Sequence, residues 1–328
     1  MRLIAEYRMV AEDARTPGYI AKHTLRRWRL MRTSKNSVPL IPLKDFGPSP
    51  FLEHGIFIEA FEDCVSVRHK RMEVHRHDYV ELFWLRGYGS VLIDFDNYPL
   101  SGKSLIAIGP GRVHAWHVKN LTGLYIAFTQ EFFDGKGPPP SALFDYPFIF
   151  GGEVSPVVRL KPKQGEQAHN LFREIHQEFQ QHENLAVEMI HHQLRSLMVH
   201  LARLYAATSP APFAAIGLVR RFHQAVERSF RASTSVRDYA KMLGVTTSHL
   251  TESLRLETGL TAGELIRARL LLEAKRLLLH SELTIAEIGY ELGFEDPSYF
   301  SRFVRREIET SPVELRNRIR EKYRKFMQ

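Results

Sequence analysis

The spacing of apolar residues changes along the chain and divides it into a strand-rich part and a helical part. Between about residues 48 and 129, apolar and polar positions alternate in short runs that are separated by Gly, Pro, Asn and Asp. Clear examples are 56–58, 91–95 and 123–128. Short alternating strands with turn residues every ~8–12 positions are typical of a β-sandwich or a small barrel.

After a Gly/Pro-rich loop, residues 166–206 show helical spacing with a break near Glu183. The second helix carries an apolar stripe with alternating steps of four and three residues, as in a coiled-coil seam. The stripe consists of Ile190, Leu194, Leu197, Leu201 and Leu204. Two heptads are compatible with a seam between two chains and equally with packing against the strand-rich part. The Pro-containing residues 207–215 then predict a linker.

From residue 216 onward the pattern is helical, and one supersecondary unit occurs twice, at 235–257 and 284–308. Each copy has a short helix, a glycine turn (Gly244 or Gly293) and a second helix, which is the signature of a helix-turn-helix. The residues between the copies, 263–280, predict one long helix. As a rigid spacer, that helix would place the two second helices in successive major grooves of DNA.

Local signals mark where these helices begin. Ser235, Thr261 and Thr284 are each followed three positions later by an acidic residue, which is the capping-box pattern. Asp296 and Pro297 combine an N-cap acid with a proline at the first helical position. We therefore expect all four helices to start at these residues.

The outward face of each second helix supplies the candidate DNA contacts, because the N-terminal end of a recognition helix reaches base edges and nearby Arg, Ser and Thr bind phosphates. In the first copy the candidates are Thr247, Ser248, Thr251, Glu252 and Arg255. In the second copy they are Pro297, Ser298, Ser301, Arg302, Arg305 and Arg306.

Composition and charge limit the alternatives. The 328 residues are enough for about two domains. The sequence has no uninterrupted run of ~18 apolar residues, so we expect no membrane span. Cys64 is the only cysteine, so an intramolecular disulfide is excluded and a reducing, cytoplasmic location is expected. The net charge of +8 is unevenly spread: residues 216–328 hold 20 basic and 15 acidic groups, and residues 1–44 hold ten and three. We expect 1–44 to be a disordered basic extension, with Met31 as an alternative start and a non-specific DNA arm as another alternative.

Residues 230–320 resemble the DNA-binding domain of the AraC/XylS family of bacterial transcription regulators. The matching segments are Gly259 and Leu260, 274–278, 285–288, 291–294, 298–301, and Ser311 with Pro312. The resemblance implies that Ser248, Thr251 and Glu252 enter one major groove and that Ser298, Ser301 and Arg302 enter the next. Two positions depart from the family pattern. Glu252 stands where a basic residue is common, and Gly289 replaces a small alanine, which should loosen the second unit by about 0.5–1 kcal/mol.

The strand-rich part contains His75, His77 and Glu81, and later His114, in a pattern that resembles the short motifs of cupin barrels. In a strand with unbroken alternation, residues 75, 77, 79, 81 and 83 point to one face. The expected lining of an effector pocket is therefore His75, His77, Tyr79, Glu81, Phe83, His114 and Trp116. The same positions match the ligands of metal-dependent cupins, so His75, His77, Glu81 and His114 are the metal candidates. We nevertheless expect no metal and no other cofactor, because sensor barrels of this type often keep fragments of the motif without metal.

Together, these patterns predict an α+β chain of two domains. We expect a basic N-terminal extension at 1–44, a cupin-like effector domain at 45–165, a helical dimerisation or coupling region at 166–206, a linker at 207–215 and a DNA-binding domain at 216–328. The predicted function is that of a transcription regulator, an activator rather than an enzyme, whose effector is a sugar or an aromatic acid. Expected partners are operator DNA, a second copy of the chain and RNA polymerase. The alternatives are a metal-dependent cupin enzyme and a constitutive DNA-binding protein with an empty barrel.

Overall fold

A computed structural model describes residues 38–43, 51–64, 71–135, 142–150, 155–181, 183–208, 217–232 and 235–327. They form two compact units, one comprising Pro39–Leu143 and Pro156–Leu204, the other Phe144–Ser155 and Tyr205–Gln328. Most of the predicted N-terminal extension, including Met31, lies outside the described residues, and so does most of the predicted linker.

An antiparallel sheet dominates the first unit. Its strands are β1 (Ile56–Ala60), β2 (Arg71–His75), β3 (Val80–Ile93), β4 (Asp96–Ile108), β5 (His114–Val118), β6 (Thr122–Phe128) and β7 (Val157–Arg159). The main path runs β1-β6-β3-β4-β7, and β5 joins β2 to β3. Strand β3 pairs with β6 along its first half and with β5 along its second half, while β4 follows it throughout. Because β3 changes partners midway, the sheet curls into the barrel, which is the name used here for β1–β7.

Two glycines allow the change of partner within β3. Gly87 has a φ of 117°, and a Cβ there would lie 2.3 Å from the carbonyl oxygen of Asn120. At Gly89 a Cβ would lie 2.6 Å from the carbonyl oxygen of His117. Only glycine permits such close approach of two backbones. These residues therefore fix the place where the barrel bends.

The last residues of the predicted N-terminal extension pack on the barrel. Ile41 and Leu43 are buried. The amide of Ile41 donates to the carbonyl of Arg76 at 2.9 Å, and the amide of Arg76 donates to Pro39 at 3.0 Å. Residues 38–43 thus add a strap beside the histidines of β2.

The described residues of the first unit also contain four helices. They are α1 (Phe61–Cys64), α2 (Gln130–Asp134), α4 (Pro162–Gln181) and α5 (Ala186–Thr208). Of these, α1 and α4 pack against strands of the sheet. On β3, Trp84 donates its indole N–H to the carbonyl of Gly165 at 3.0 Å and stacks on His169 of α4. Trp84 therefore faces the helix, and its neighbour Phe83 points into the barrel.

The apolar stripe of α5 lies inside the chain. All five of its predicted residues are buried, and Ile190, Leu194 and Leu197 have no exposed surface. The large apolar residues exposed along this region are instead Met189 and Val199 of α5 and Leu185 just before it. Of the two alternatives, this burial favours packing within the chain over a seam between two chains.

The second unit is helical. Its helices are α3 (Pro147–Phe150), α6 (Leu218–Ser229), α7 (Val236–Leu243), α8 (Thr247–Thr258), α9 (Ala262–His280), α10 (Ile285–Glu291), α11 (Pro297–Ile308) and α12 (Pro312–Met327). The short segment Phe144–Ser155 belongs to this unit although it lies within the predicted effector domain. Its Asp145 accepts hydrogen bonds from Arg220 and Gln224 of α6.

The predicted fold class, a cupin-like β domain followed by an all-α tandem helix-turn-helix region, is confirmed. Helices α7 and α8 form the first helix-turn-helix, and α10 and α11 form the second. The single helix α9 separates them, as the sequence predicts. No helix among the described residues is long and apolar enough to cross a membrane.

Candidate DNA-binding surface and barrel histidine cluster

Capping side chains fix the first residues of the helices that carry the candidate DNA contacts. At α8 the hydroxyl of Thr246 accepts from the amide of His249 at 3.2 Å. At α11 the carboxylate of Asp296 accepts from the amide of Ser298 at 2.8 Å, and Pro297 occupies the first turn. The caps leave the N-terminal ends of both helices exposed and well defined, as a reading helix requires.

Two of the three predicted capping boxes are confirmed. At α9 the hydroxyl of Thr261 accepts from the backbone amide of Glu264, and the carboxylate of Glu264 accepts from the amide of Thr261. Thr284 and Glu287 make the same two hydrogen bonds at α10. The prediction for Ser235 is wrong, because its side chain makes no capping hydrogen bond at α7. Helix α7 still begins at the residue after Ser235, so the pattern located the helix start correctly but not the bond.

The turn of each helix-turn-helix contains a left-handed glycine, with φ of 69° at Gly244 and 81° at Gly293. Their surroundings differ. A Cβ on Gly244 would meet nothing within 4 Å, whereas a Cβ on Gly293 would lie 2.2 Å from the carbonyl oxygen of Arg231. The second turn is therefore packed against backbone, and the first is open.

The predicted contact residues lie on the outer faces of α8 and α11. Their apolar partners Leu250, Leu254, Phe300 and Val304 are buried. The exposed candidates are Thr247, Ser248, Glu252, Arg255, Ser298, Arg302, Arg305 and Arg306, and the half-buried ones are Pro297, Thr251 and Ser301. The two helices therefore present polar and basic side chains to solvent at and beyond their N-terminal ends.

An aromatic ring that the sequence interpretation omitted lies beside these residues. Tyr299 on α11 is 62% exposed, although large apolar rings are usually covered. The guanidinium of Arg302 lies 4.2 Å from the centre of this ring. The pair presents a cation and a flat ring together at the start of α11. Arg306, by contrast, already forms an ion pair with Glu307 at 2.9 Å.

Gly289 has a packing role that the sequence did not reveal. A Cβ at this position of α10 would lie 3.2 Å from the Cβ of Phe300 on α11. The absence of a side chain lets the two helices of the second unit approach closely. The close approach places the buried Phe300 against the backbone of α10 at Gly289.

A network of charges connects α9 with α6. The carboxylate of Glu273, only 8% exposed, forms ion pairs with Arg231, Arg269 and Arg276, and Arg269 also binds Glu227. Burial by itself would raise the pKa of Glu273, but the surrounding guanidinium groups hold that pKa below its usual value. These ion pairs stabilise the second half of α9, the helix between the two helix-turn-helix units.

Three histidines converge in the barrel. His75, His77 and His114 are buried, and their potential ligand atoms all lie within 4.8 Å of one another. The rings of His75 and His114 are 4.1 Å apart, centre to centre. The prediction from the sequence assumed one unbroken strand through residues 75–83. The structure instead ends β2 at His75 and begins β3 at Val80, yet the intervening residues still direct His77 and Tyr79 into the cluster.

Backbone carbonyls orient two of the imidazoles. Nδ1 of His77 lies 2.8 Å from the carbonyl of Ile41 in the strap, and Nδ1 of His114 lies 3.3 Å from that of Arg112. Both Nε2 atoms face the carboxylate of Glu81, at 3.4 Å and 3.3 Å. Glu81 also accepts a hydrogen bond from the hydroxyl of Tyr125 at 3.0 Å.

The interior environment opposes charge on these groups. Burial raises the pKa of Glu81 well above its usual range, although the hydrogen bond from Tyr125 acts against this. Burial and the neighbouring imidazoles lower the pKa of His77 and His114 well below the usual range. The interior thus favours neutral forms of these side chains.

The remaining predicted lining residues form an aromatic layer next to the histidines. Phe83 stacks on Tyr125 at 4.9 Å and packs against Trp116 at 4.9 Å. Phe61 of α1 closes this layer with a ring contact to Trp116 at 5.1 Å. Phe61 and Tyr125 were not predicted, because their places on α1 and β6 depend on tertiary packing. All seven predicted lining residues are brought together within the barrel.

Residues 239–318 match the helix-turn-helix domain family. The chain is also similar to the HTH-type transcriptional activator RhaR of Enterobacter sp. (strain 638), with 27% identity over 263 residues, which are 75% of this chain and 87% of that protein. The RhaR protein of Klebsiella pneumoniae is 26% identical over 255 residues, 75% of this chain and 88% of its own length.

Among solved structures, the chain is similar to ToxT from Vibrio cholerae. It is 14% identical, with a TM-score of 0.38, and the match covers 81% of this chain and 98% of ToxT.

Proposed function

We propose that this chain, a regulator of the AraC/XylS type, activates transcription by binding operator DNA through the N-terminal ends of α8 and α11. The observation that carries the proposal is the pair of capped, exposed helix ends, each bearing hydroxyl or arginine side chains. Such ends are the parts of helix-turn-helix proteins that reach base edges. Binding to an operator also requires that the chain reside in the cytoplasm.

The spacer helix α9 determines the register on DNA in this proposal. Its 19 residues give about five turns. The capping box at Thr261 stabilises its N-terminal end, and the ion pairs of Glu273 stabilise its second half. A rigid spacer suits two reading helices in major grooves about one helical turn, ~10 bp, apart. We therefore expect each chain to read two short base blocks.

The two reading helices are chemically unequal. Helix α11 exposes Arg302 and Arg305, which suit guanine edges and phosphates, and Tyr299 adds a flat ring beside them. Helix α8 exposes Glu252, whose carboxylate repels phosphate but accepts from the N4 amino group of cytosine. We propose that α11 supplies more of the phosphate affinity and that α8 adds base preference.

Substitution of Arg302 tests this proposal. Selection from randomised DNA duplexes with the full chain would first yield a preferred site. On that site, Arg302→Ala should weaken binding by about 1–3 kcal/mol, roughly 5- to 150-fold, and relax the preference at one base pair. A gel-shift series over single-base variants of the site measures both effects.

Arg318→Ala is the matched control, because it removes the same charge from an exposed position on α12, outside both reading helices. It should leave the base preference unchanged and alter affinity only slightly. Equal losses for the two variants would reduce the role of Arg302 to general electrostatic attraction. An unchanged affinity and base preference for Arg302→Ala would contradict the proposed placement of α11.

The barrel supplies the control of transcription in this proposal. A small effector, a sugar or an aromatic acid, would bind among the histidines and aromatic rings of the predicted lining and shift the population of DNA-binding conformations. A thermal-shift screen against these compound classes tests this, since a ligand that binds only the folded state raises the melting temperature. No shift with any sugar or aromatic acid would contradict the proposed effector classes.

The proposed assembly is a homodimer that contacts RNA polymerase at the promoter. Because the helical unit is only modestly basic, two copies would give the operator affinity that one copy lacks. The exposed Met189 and Val199 of α5 are the apolar side chains that this dimer would cover. Sedimentation of the full chain should show a dimer, and M189K should shift it towards monomer. We propose a regulatory and not an enzymatic role for the barrel.

A further inference from the structure

Two buried polar atoms of the barrel cluster, Oε2 of Glu81 and Nε2 of His114, lie close together without forming a hydrogen bond. The separations between the Glu81 carboxylate and the Nε2 atoms of His77 and His114 are 3.4 Å and 3.3 Å. Oε2 of Glu81 and Nε2 of His114 are buried without a hydrogen-bond partner. A fold that leaves such atoms orphaned bears a cost that a ligand between them would remove.

The orientation of the imidazoles favours a ligand that accepts electron pairs. With Nδ1 of His77 directed at the carbonyl of Ile41, and Nδ1 of His114 at that of Arg112, each ring donates its proton outward. The lone pairs on Nε2 then face the centre of the cluster. Metal-binding histidines are commonly held in this way by a carbonyl or carboxylate on the outer nitrogen.

We infer that His75, His77 and His114 bind one divalent transition-metal ion inside the barrel, with Glu81 as the fourth ligand. Imidazole nitrogen and carboxylate oxygen suit first-row ions such as Zn²⁺, Co²⁺, Ni²⁺ and Fe²⁺. The inference goes beyond the proposed function, since it concerns a metal and does not depend on DNA binding. It differs from the expectation, drawn from the sequence, that the barrel takes no metal.

The geometry requires a modest contraction on binding. Ligand atoms at ~2.1 Å from an ion in tetrahedral arrangement are about 3.4 Å apart. The histidine ligand atoms lie within 4.8 Å of one another, so side-chain rotations have to close the widest pair by at most about 1.4 Å. Among the described residues this is the only group of three or more His, Cys, Asp or Glu side chains with metal-binding spacing.

Metal binding would also stabilise the strap. The same His77 ring that offers Nε2 to the ion is hydrogen-bonded to Ile41 through Nδ1. The strap is paired with Arg76, the residue between two of the ligands, through the amide of Ile41. An ion that fixes His77 therefore restrains residues 38–43, and the amide of Ile41 should exchange more slowly with solvent when metal is bound.

Cobalt titration of the full chain, tag-free and stripped with a chelator, tests the inference. Co²⁺ should bind at about one equivalent, give visible absorption bands of nitrogen coordination, raise the melting temperature and be displaced by Zn²⁺. His114→Ala should weaken binding by about 100-fold or more, because it removes a ligand and not merely an outer partner. His117→Ala, three residues further along β5, is the matched control and should bind cobalt as the unmodified chain does.

Circular dichroism of each variant without metal separates loss of a ligand from loss of folding. If His114→Ala does not fold, Glu81→Gln serves as the second variant and should weaken binding and change the cobalt spectrum. The inference is overturned if the unmodified chain binds no cobalt stoichiometrically. It is equally overturned if His117→Ala lowers affinity as much as His114→Ala, which would indicate surface chelation. Neither result affects the DNA-binding proposal, which the gel-shift series tests separately.

Discussion

Replacing Gly293 with alanine should destabilise the helical unit much more than the same change at Gly244. Both glycines have left-handed backbone conformations, with φ of 81° and 69°. A non-glycine residue in that conformation costs about 1–2 kcal/mol, and alanine recovers about 0.4–1 kcal/mol by restricting the unfolded chain. At Gly244, where a Cβ meets nothing within 4 Å, the net destabilisation should therefore be about 1 kcal/mol.

At Gly293 a steric cost is added. The new Cβ would lie 2.2 Å from the carbonyl oxygen of Arg231, so backbone has to move by about 1 Å to relieve the overlap. Overpacking of this kind costs about 1–3 kcal/mol. We expect Gly293→Ala to lower the free energy of unfolding by about 2–4 kcal/mol in total.

Urea denaturation with two probes measures the difference. Trp84 and Trp116 lie in the barrel, residues 205–328 contain no tryptophan, and the third tryptophan, Trp28, is replaced by phenylalanine in every protein compared in the assay. Tryptophan fluorescence therefore reports on the barrel, while far-UV circular dichroism is dominated by the helices. Gly293→Ala should shift the helical transition to lower urea and leave the fluorescence transition in place. Equal shifts for Gly293→Ala and Gly244→Ala would refute the steric argument.

Two further predictions concern the same unit. Glu273→Gln should cost about 3 kcal/mol at neutral pH because it leaves buried guanidinium groups without their carboxylate. Since the folded-state pKa of Glu273 is lowered, its stabilisation is complete above the ordinary carboxyl pKa and is lost as the pH falls through the lowered value. The stability gap between the variant and the unmodified chain should narrow in acid, as pH-dependent urea titrations would show, and a constant gap would count against the ion pairs. Thr284→Ala should cost about 1 kcal/mol through loss of the cap on α10, whereas Thr284→Ser should cost little. Equal melting temperatures for these two variants would contradict the capping role.

The sequence was most informative where structure is decided locally. Thr261, Thr284 and Asp296 start their helices as predicted, because a cap needs only a side chain and the backbone within three residues. Ser235 shows the limit of this reasoning. The same pattern stands at a helix start without the capping bond, since the side-chain rotamer is decided by more than sequence spacing.

Long-range packing was less accessible. The sequence could not decide that Trp84 faces α4 while Phe83 faces the barrel interior, because that outcome depends on where β3 bends at Gly87. It could not show that the stripe from Ile190 to Leu204 is buried within one chain. The role of Ile41 beside His77 was also inaccessible, since 36 residues separate them and nothing in the pattern joins them.

The histidine cluster depends both on local strand alternation, which the sequence shows, and on long-range packing, which it does not. Alternation correctly placed His75, His77 and Glu81 on one face, although the strand it assumed is interrupted between β2 and β3. His114 joins the cluster because the pairing of β2 with β5 places it opposite His75. What the sequence lacked was the outward anchoring of the imidazoles on backbone carbonyls, which is the feature that favours a metal.

Guanine methylation interference on the selected DNA site tests the central claim most directly, namely that both helix-turn-helix units read DNA. The account predicts two blocks of interference in the major groove, centred about one helical turn, ~10 bp, apart for each bound chain. Arg302→Ala should weaken only the block that α11 contacts. A single block per chain, or two blocks that respond equally to Arg302→Ala, would contradict the account.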